Sequence, residues 1–220
     1  MRELAPDVWH IGTFPPYTIN AYLLGDVLVD ALTRRDGKRI LKALDGRKVT
    51  AHALTHAHAD HQGASHAVCS ALGIPFWVGA ADADAAENPK LIAERQPSNP
   101  IAQGFVKLFV GPGHPVDRQL REGDDVAGFE VIDVPGHSSG HVAFWRESDR
   151  VLVLGDVVNH MDTLTLIPKL TLPRDLLTPD PERNRQSAKR LGELEPDLVL
   201  FGHGKPLRDR EKFWAFCAAL

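Results

Sequence analysis

Cysteine is scarce: Cys69 and Cys217 stand far apart and belong to no CxxC pair. That spacing argues against a disulfide scaffold or a thiolate zinc site and fits a reducing compartment, with both thiols expected as buried fillers. Long apolar runs are missing too. No stretch approaches a membrane span, and the N-terminal "MRELAPDVWHIG" carries acidic residues and a proline where a signal peptide needs an apolar core. A cytoplasmic protein with no membrane partner is therefore expected. Nor is there an excess of positive charge. The 29 acidic and 25 basic residues give a formal charge of -4, with Lys and Arg scattered, so electrostatic binding to nucleic acid is not expected. Low-complexity tracts are lacking, and 43% hydrophobic with 25% charged residues is ordinary for a globular chain. The chain should fold throughout, as one domain over residues 1–220, burying roughly 70–75% of its unfolded surface. Oligomeric state is left open.

What the chain does have is histidine, eleven in all, and a cluster of them. "HAHADH" places His56, His58, Asp60 and His61 within six positions. Each such group is costly to bury alone, so the cluster calls for a partner that offsets the cost. A metal ion is the candidate: imidazoles with one hard carboxylate oxygen suit zinc, manganese or iron.

The surrounding pattern shows how such a cluster is delivered. "NAYLLGDVLVDAL" alternates around Gly25-Asp26, predicting a hairpin of strands at about 20–24 and 27–31. A helix follows in "RRDGKRILKALDG", then a buried strand in "KVTAHALT" that ends at His56. From Asp60, placed near an N-cap, to Gly73 the pattern is again helical, and "IPFWVGA" reads as a short strand. Residues 82–115 mix Ala-rich helical potential with five prolines and give no clean period; they read as an excursion over one face, with a lid as one alternative. The second half repeats the first: a strand in "GFEVIDVPG", a hairpin turning at Glu147 to Asp149, a helix in "ERNRQSAKRLGELEP" and a strand in "DLVLFGHG". The order hairpin, helix, strand, histidine thus occurs twice, leading to His56 and to His203. Two such halves packed sheet on sheet, with helices outside, bring the strand ends to one rim.

Three further polar groups stand where strands are expected to end, each flanked by glycine: His137 in "PGHSSGH", Asp156 in "LGDVV" and His203 in "FGHGKP". With "HAHADH" in front, these motifs resemble, in order and over nearly the whole chain, the metallo-β-lactamase superfamily in its hydrolase branch of glyoxalase II and lactonases. The resemblance implies an α/β fold, an αβ/βα four-layer sandwich of two mixed sheets with outer helices. It implies a first metal site at His56, His58 and His137, a second at Asp60, His61 and His203, and Asp156 as the carboxylate bridging them. Two divalent ions are implied, zinc foremost, with iron and manganese as alternatives. Sharing a water, two such cations lower its pKa from about 16 towards neutrality, and the bridging hydroxide is then the nucleophile. Asp60 and Asp156 are the catalytic carboxylates of that scheme, Asp60 helping the leaving group depart.

Departures from the family pattern narrow the branch. An aspartate at 156 points away from lactam hydrolysis. Nuclease members carry insertions for which this length and charge give no support, and the chain ends 17 residues after His203, without the basic helical domain of glyoxalase II. The expected activity is hydrolysis of a small ester, thioester or lactone. A mononuclear iron oxidoreductase of the persulfide dioxygenase type and a phosphodiesterase or nuclease of the same fold are the rivals.

Residues outside the ligand set carry weaker expectations. His141 is placed as a hydrogen-bond partner behind the ligands, His160 in the pocket wall, and Asp30, the counterpart of Asp156 in the pseudo-repeat, behind the "HAHADH" loop. "TFPPYTIN" and "MDTLTLIPKLTLP" are candidates for the pocket rim, which would give the substrate an apolar portion. The four tryptophans are read as core anchors.

Overall fold

A computed structural model describes residues 1–220 as two mixed β-sheets packed face to face, with helices on both outer sides. The first sheet runs in chain order: β1 (Arg2–Ala5), β2 (Val8–Gly12), β3 (Asn20–Leu24) and β4 (Val27–Val29) form an antiparallel meander. β5 (Ala51–Ala53), β6 (Phe76–Gly79) and β7 (Arg118–Leu120) then add in parallel. Helices α1 (Gly37–Ala43), α2 (Ala59–Gln62), α3 (Ser65–Leu72), α4 (Ala83–Glu87), α5 (Pro89–Arg95) and α6 (Pro100–Phe109) occupy the crossovers. The second sheet contains β8 (Asp125–Val126), β9 (Phe129–Asp133), β10 (Val142–Arg146), β11 (Val151–Val153) and β12 (Leu198–Leu200), in the order β12-β11-β10-β9-β8. α7 (Pro181–Gly192) joins β11 to the parallel β12, and α8 (Arg210–Ala218) packs beside it.

Strand alternation builds the layers. On β3, Tyr22 and Leu24 face the second sheet and meet Val131, Phe144 and Leu200, while Ala21 and Leu23 face the helices with Ile40 and Val68. All five β3 residues are buried, because this strand has a layer on each side. On the far side Leu152 and Phe201 pack on Leu191 and Phe213. Each large side chain so buried contributes about 1.5–3 kcal/mol. Four layers result, the sandwich that the resemblance implied.

The pseudo-repeat is present as read: hairpin β3-β4, α1 and parallel β5 lead to His56, and hairpin β10-β11, α7 and parallel β12 lead to His203. Local departures have local causes. The helix expected from Asp60 to Gly73 is split into α2 and α3 near Gly63, where a Cβ would strike the backbone of Leu32 to Arg34. His58, not Asp60, takes the N-cap position, and Asp60 sits in the first turn. Over residues 82–115 the helical potential is realised despite the prolines: Asn88 and Asn99 cap α5 and α6, and the prolines that follow occupy their first turns. Trp145 is a core residue, whereas Trp214 is 50% exposed.

Candidate metal centre

All seven polar residues singled out at strand ends converge on one rim of the sandwich. His56, His58 and His137 form one group of donors and Asp60, His61 and His203 a second; His56, His61 and Asp156 form a third that links them, donor atoms in each lying within 4.8 Å of one another. Asp156 stands between the sets, with Oδ1 3.5 Å from His61 Nε2 and Oδ2 3.6 Å from His137 Nε2 and 3.0 Å from His203 Nε2. Asp60 Oδ2 is 3.3 Å from His203 Nε2.

The imidazoles are aimed from behind. Carbonyl and carboxylate oxygens only accept, so His203 Nδ1 donates to Thr18 O and His61 Nδ1 to Asp30 Oδ2, the latter at 2.9 Å. Thr55 Oγ1 gives its proton to Asp30 and so accepts from His56 Nδ1 at 2.9 Å. Thr178 Oγ1 donates to Arg174 O and accepts from His137 Nδ1 at 3.2 Å. In the neutral tautomer each of these four rings therefore turns an Nε2 lone pair inward. His58 is reversed: the Gln96 side-chain amide meets its Nε2, leaving Nδ1 for the centre.

Whether these residues fit a metal is answered by what they lack. His56 Nε2, His61 Nε2 and Asp156 Oδ1 are buried and have no hydrogen-bond partner, a costly state unless a cation completes them. Gly202 passes so close that a Cβ there would collide with Asp156 Oδ1 and the His61 ring. Electrostatics agree. Burial works against a charged His203, yet Asp156 and Asp60 push its pKa up to about 10, and Asp156, Asp30 and Asp60 likewise outweigh burial at His61 and raise it well above the usual range. Burial alone would raise Asp60 and Asp156, but His61 and His203 hold both below the ordinary carboxylate range. The carboxylates call for positive charge at the place where the lone pairs point. At His56 and His137, burial and neighbouring imidazoles push the pKa well down, which favours the neutral imidazole, the form that can offer a lone pair.

Asp30 stands behind the "HAHADH" loop as expected, also accepting from the Thr55 backbone N–H at 2.8 Å. His141 lies behind too: buried, lowered to about 3 by desolvation, it accepts the Asp156 N–H at 3.3 Å. His160 is not in the pocket wall, because its Nδ1 is bound to Lys205 O. Sequence reasoning missed Gln96 and Asp82. The buried Asp82 carboxylate accepts from Ala57 N at 3.0 Å, Ser138 Oγ at 2.6 Å and Gly140 N at 2.8 Å, tying the His56 and His137 loops together. No local signal marks either residue, since each acts through chain far away in sequence.

The donors open on a cavity of about 510 Å³. His58, Asp60, His137, Asp156 and His203 line its polar part; Phe14 and Ile19 of "TFPPYTIN", Leu166 and Pro173 of "MDTLTLIPKLTLP", and Phe105 and Phe109 of α6 line its apolar part. Both candidate rim segments thus reach it.

Comparison with known proteins places this geometry. The family model of the metallo-β-lactamase superfamily matches residues 14–203. Probable metallo-hydrolase YflN of Bacillus subtilis (strain 168) is 30% identical over 182 residues, 74% of this chain and 67% of that protein. A hydroxyacylglutathione hydrolase of Methylococcus capsulatus is 34% identical over 125 residues, 54% of this chain but only 38% of that enzyme. Among solved structures, TTHA1623 in a di-iron-bound form superposes with a TM-score of 0.65 at 30% identity, covering 93% of this chain and 92% of that one.

Proposed function

The chain belongs to the metallo-β-lactamase superfamily, and from that premise we propose that it is a dinuclear metal-dependent hydrolase of a small ester, thioester or lactone. The observation that carries this reading is the set of three buried, unpartnered donor atoms, His56 Nε2, His61 Nε2 and Asp156 Oδ1, set between two histidine groups. His56, His58 and His137 would hold one ion and Asp60, His61 and His203 the other, with Asp156 between them. Bound there, two divalent ions, zinc by the donor set or iron by the di-iron relative's example, would supply Lewis acidity: a more acidic water at neutral pH and a polarised acyl carbonyl.

The chain's own residues do the rest. Asp30, Thr55, Thr18 and Thr178 fix ring orientation, so the inward-facing atoms are set before substrate arrives. Asp60 lines the cavity and its side chain is 24% exposed, against 5% for Asp156. It is therefore the carboxylate that meets the reacting group: as a carboxylate it takes up the proton that the attacking water gives up and passes it to the departing alkoxide or thiolate. Phe105, Phe109 and Leu166 offer an apolar wall for a matching portion of the substrate.

The test measures metal content and turnover together, on ester, thioester, lactone and phosphodiester substrates, for the wild type and His58→Ala. Two equivalents of metal and a preference for an acyl substrate, both reduced in the variant, are expected. Equal activity in the variant would remove the proposed centre, and a phosphodiester preference would move the protein to another branch.

A further inference from the structure

One buried polar side chain beside the centre has no partner at all. Of the seven buried side-chain atoms without a hydrogen bond, three belong to the donor groups, and His141 is held through its other nitrogen. Gln62 and Asn184 are each anchored by their amide nitrogen, to Ala86 O at 2.9 Å and Val157 O at 3.0 Å. Asn159 differs. It is 1% exposed, its Oδ1 is buried without a donor, and neither end of its amide bonds to the chain.

Its position is fixed nonetheless. The Asn159 backbone exchanges hydrogen bonds with Thr171 at 2.8 and 2.9 Å, and the next residue, His160, donates its N–H to His203 O at 2.9 Å. Asn159 follows Asp156 by three positions and lines the cavity together with Asp156 and His203. Oδ1 is fully buried and Nδ2 makes no hydrogen bond to the chain, so the N–H is the end of the amide free to serve the cavity that Asn159 lines. A leucine would fill the same volume without burying an unsatisfied amide, so the fold alone gives no reason for asparagine here.

Building on the acyl-hydrolase reading above, we propose that Asn159 is a catalytic residue whose side-chain N–H donates to the carbonyl oxygen of the bound acyl substrate. As the water oxygen forms its bond to the acyl carbon, the carbonyl π pair moves onto that oxygen, and the amide stabilises the charge by hydrogen bonding without losing its proton. When the pair returns, the bond to the leaving group breaks, and the leaving group takes up from Asp60 the proton that the attacking water gave up. A neutral donor standing beside the centre suits this task, because it stabilises the developing charge without itself carrying one.

The experiment compares wild type with Asn159→Leu on the acyl substrate that the wild type hydrolyses fastest, recording kcat, KM, metal content and melting temperature. The expected result is a kcat lower by about 100-fold, with KM within about threefold, metal content equal, and a melting temperature unchanged or higher. An unchanged kcat overturns the assignment, as does a fall in melting temperature that tracks the loss of activity, or a loss of metal. Should the leucine variant not fold, Asn159→Ser, which keeps a shorter donor, is expected to show an intermediate kcat, and a full one overturns the proposal. A wild type inactive on every acyl substrate sinks the acyl-hydrolase reading itself. An active wild type with an unaffected variant sinks only the role of Asn159.

Discussion

At the residue scale, the centre depends on side chains that never touch the reacting atoms. Asp30→Asn keeps the shape but takes the carboxylate from His61 Nδ1, so metal affinity is expected to fall by roughly 10–100-fold, read by titrating the metal-free protein with zinc or iron. Gly202→Ala drives a methyl group into Asp156 Oδ1 and the His61 ring. Metal content below half the wild-type value and activity lower by at least about tenfold are expected, in a protein whose circular dichroism is unchanged. The seven donor residues were legible because each lies in a short motif at a strand end, beside glycine or in "HAHADH". Asp82, Gln96 and Thr178 were not, because their partners lie 25 to 58 positions away and only folding brings them together.

At the element scale, stability is concentrated in polar ties between segments. Asp82 joins the loop after β5 to the loop after β9, and Asp82→Ala is expected to cost about 2–4 kcal/mol in urea unfolding, against about 1 kcal/mol for Ser138→Ala. His52 ties β5 to β4 and α3: its Nδ1 donates to Leu28 O at 3.0 Å and its Nε2 accepts from Ser65 Oγ at 2.8 Å. Burial lowers its pKa to about 4 from an ordinary 6.5, so between those values the unfolded chain binds a proton that the folded chain refuses. Stability is therefore full above pH 6.5 and falls as the pH drops towards 4, by up to roughly 3 kcal/mol from this residue. Denaturant unfolding at pH 7, 6 and 5 checks it, with His52→Gln expected to show a shallower decline. Element types followed the sequence wherever a hydrophobic period was clean, as in both hairpins and α7. No period was clean over residues 82–115, where Asn88-Pro89 and Asn99-Pro100 prove to be helix starts.

At the scale of the whole molecule, the cavity is a joint product of segments distant in sequence: the loop before β3, α6, and the chain between β11 and α7. Its apolar wall predicts that kcat/KM for a series of straight-chain acyl esters rises with chain length until the space is filled, at most about fourfold per methylene. Phe105→Ala is expected to shift the optimum to longer acyl groups. The layer order and the two-half plan could be read ahead because alternation and the repeated order of elements are local. Cavity shape could not, since it depends on how loops without a period meet.

The donor set itself is unevenly divided along the chain, and this matters before the protein has folded. His56, His58, Asp60 and His61 remain neighbours even in a denatured coil, whereas His137, Asp156 and His203 arrive only when the second sheet docks. Excess zinc during refolding therefore has a competing resting place on the nascent chain, and the gain in stability from added cation falls short of what the native dissociation constant alone dictates.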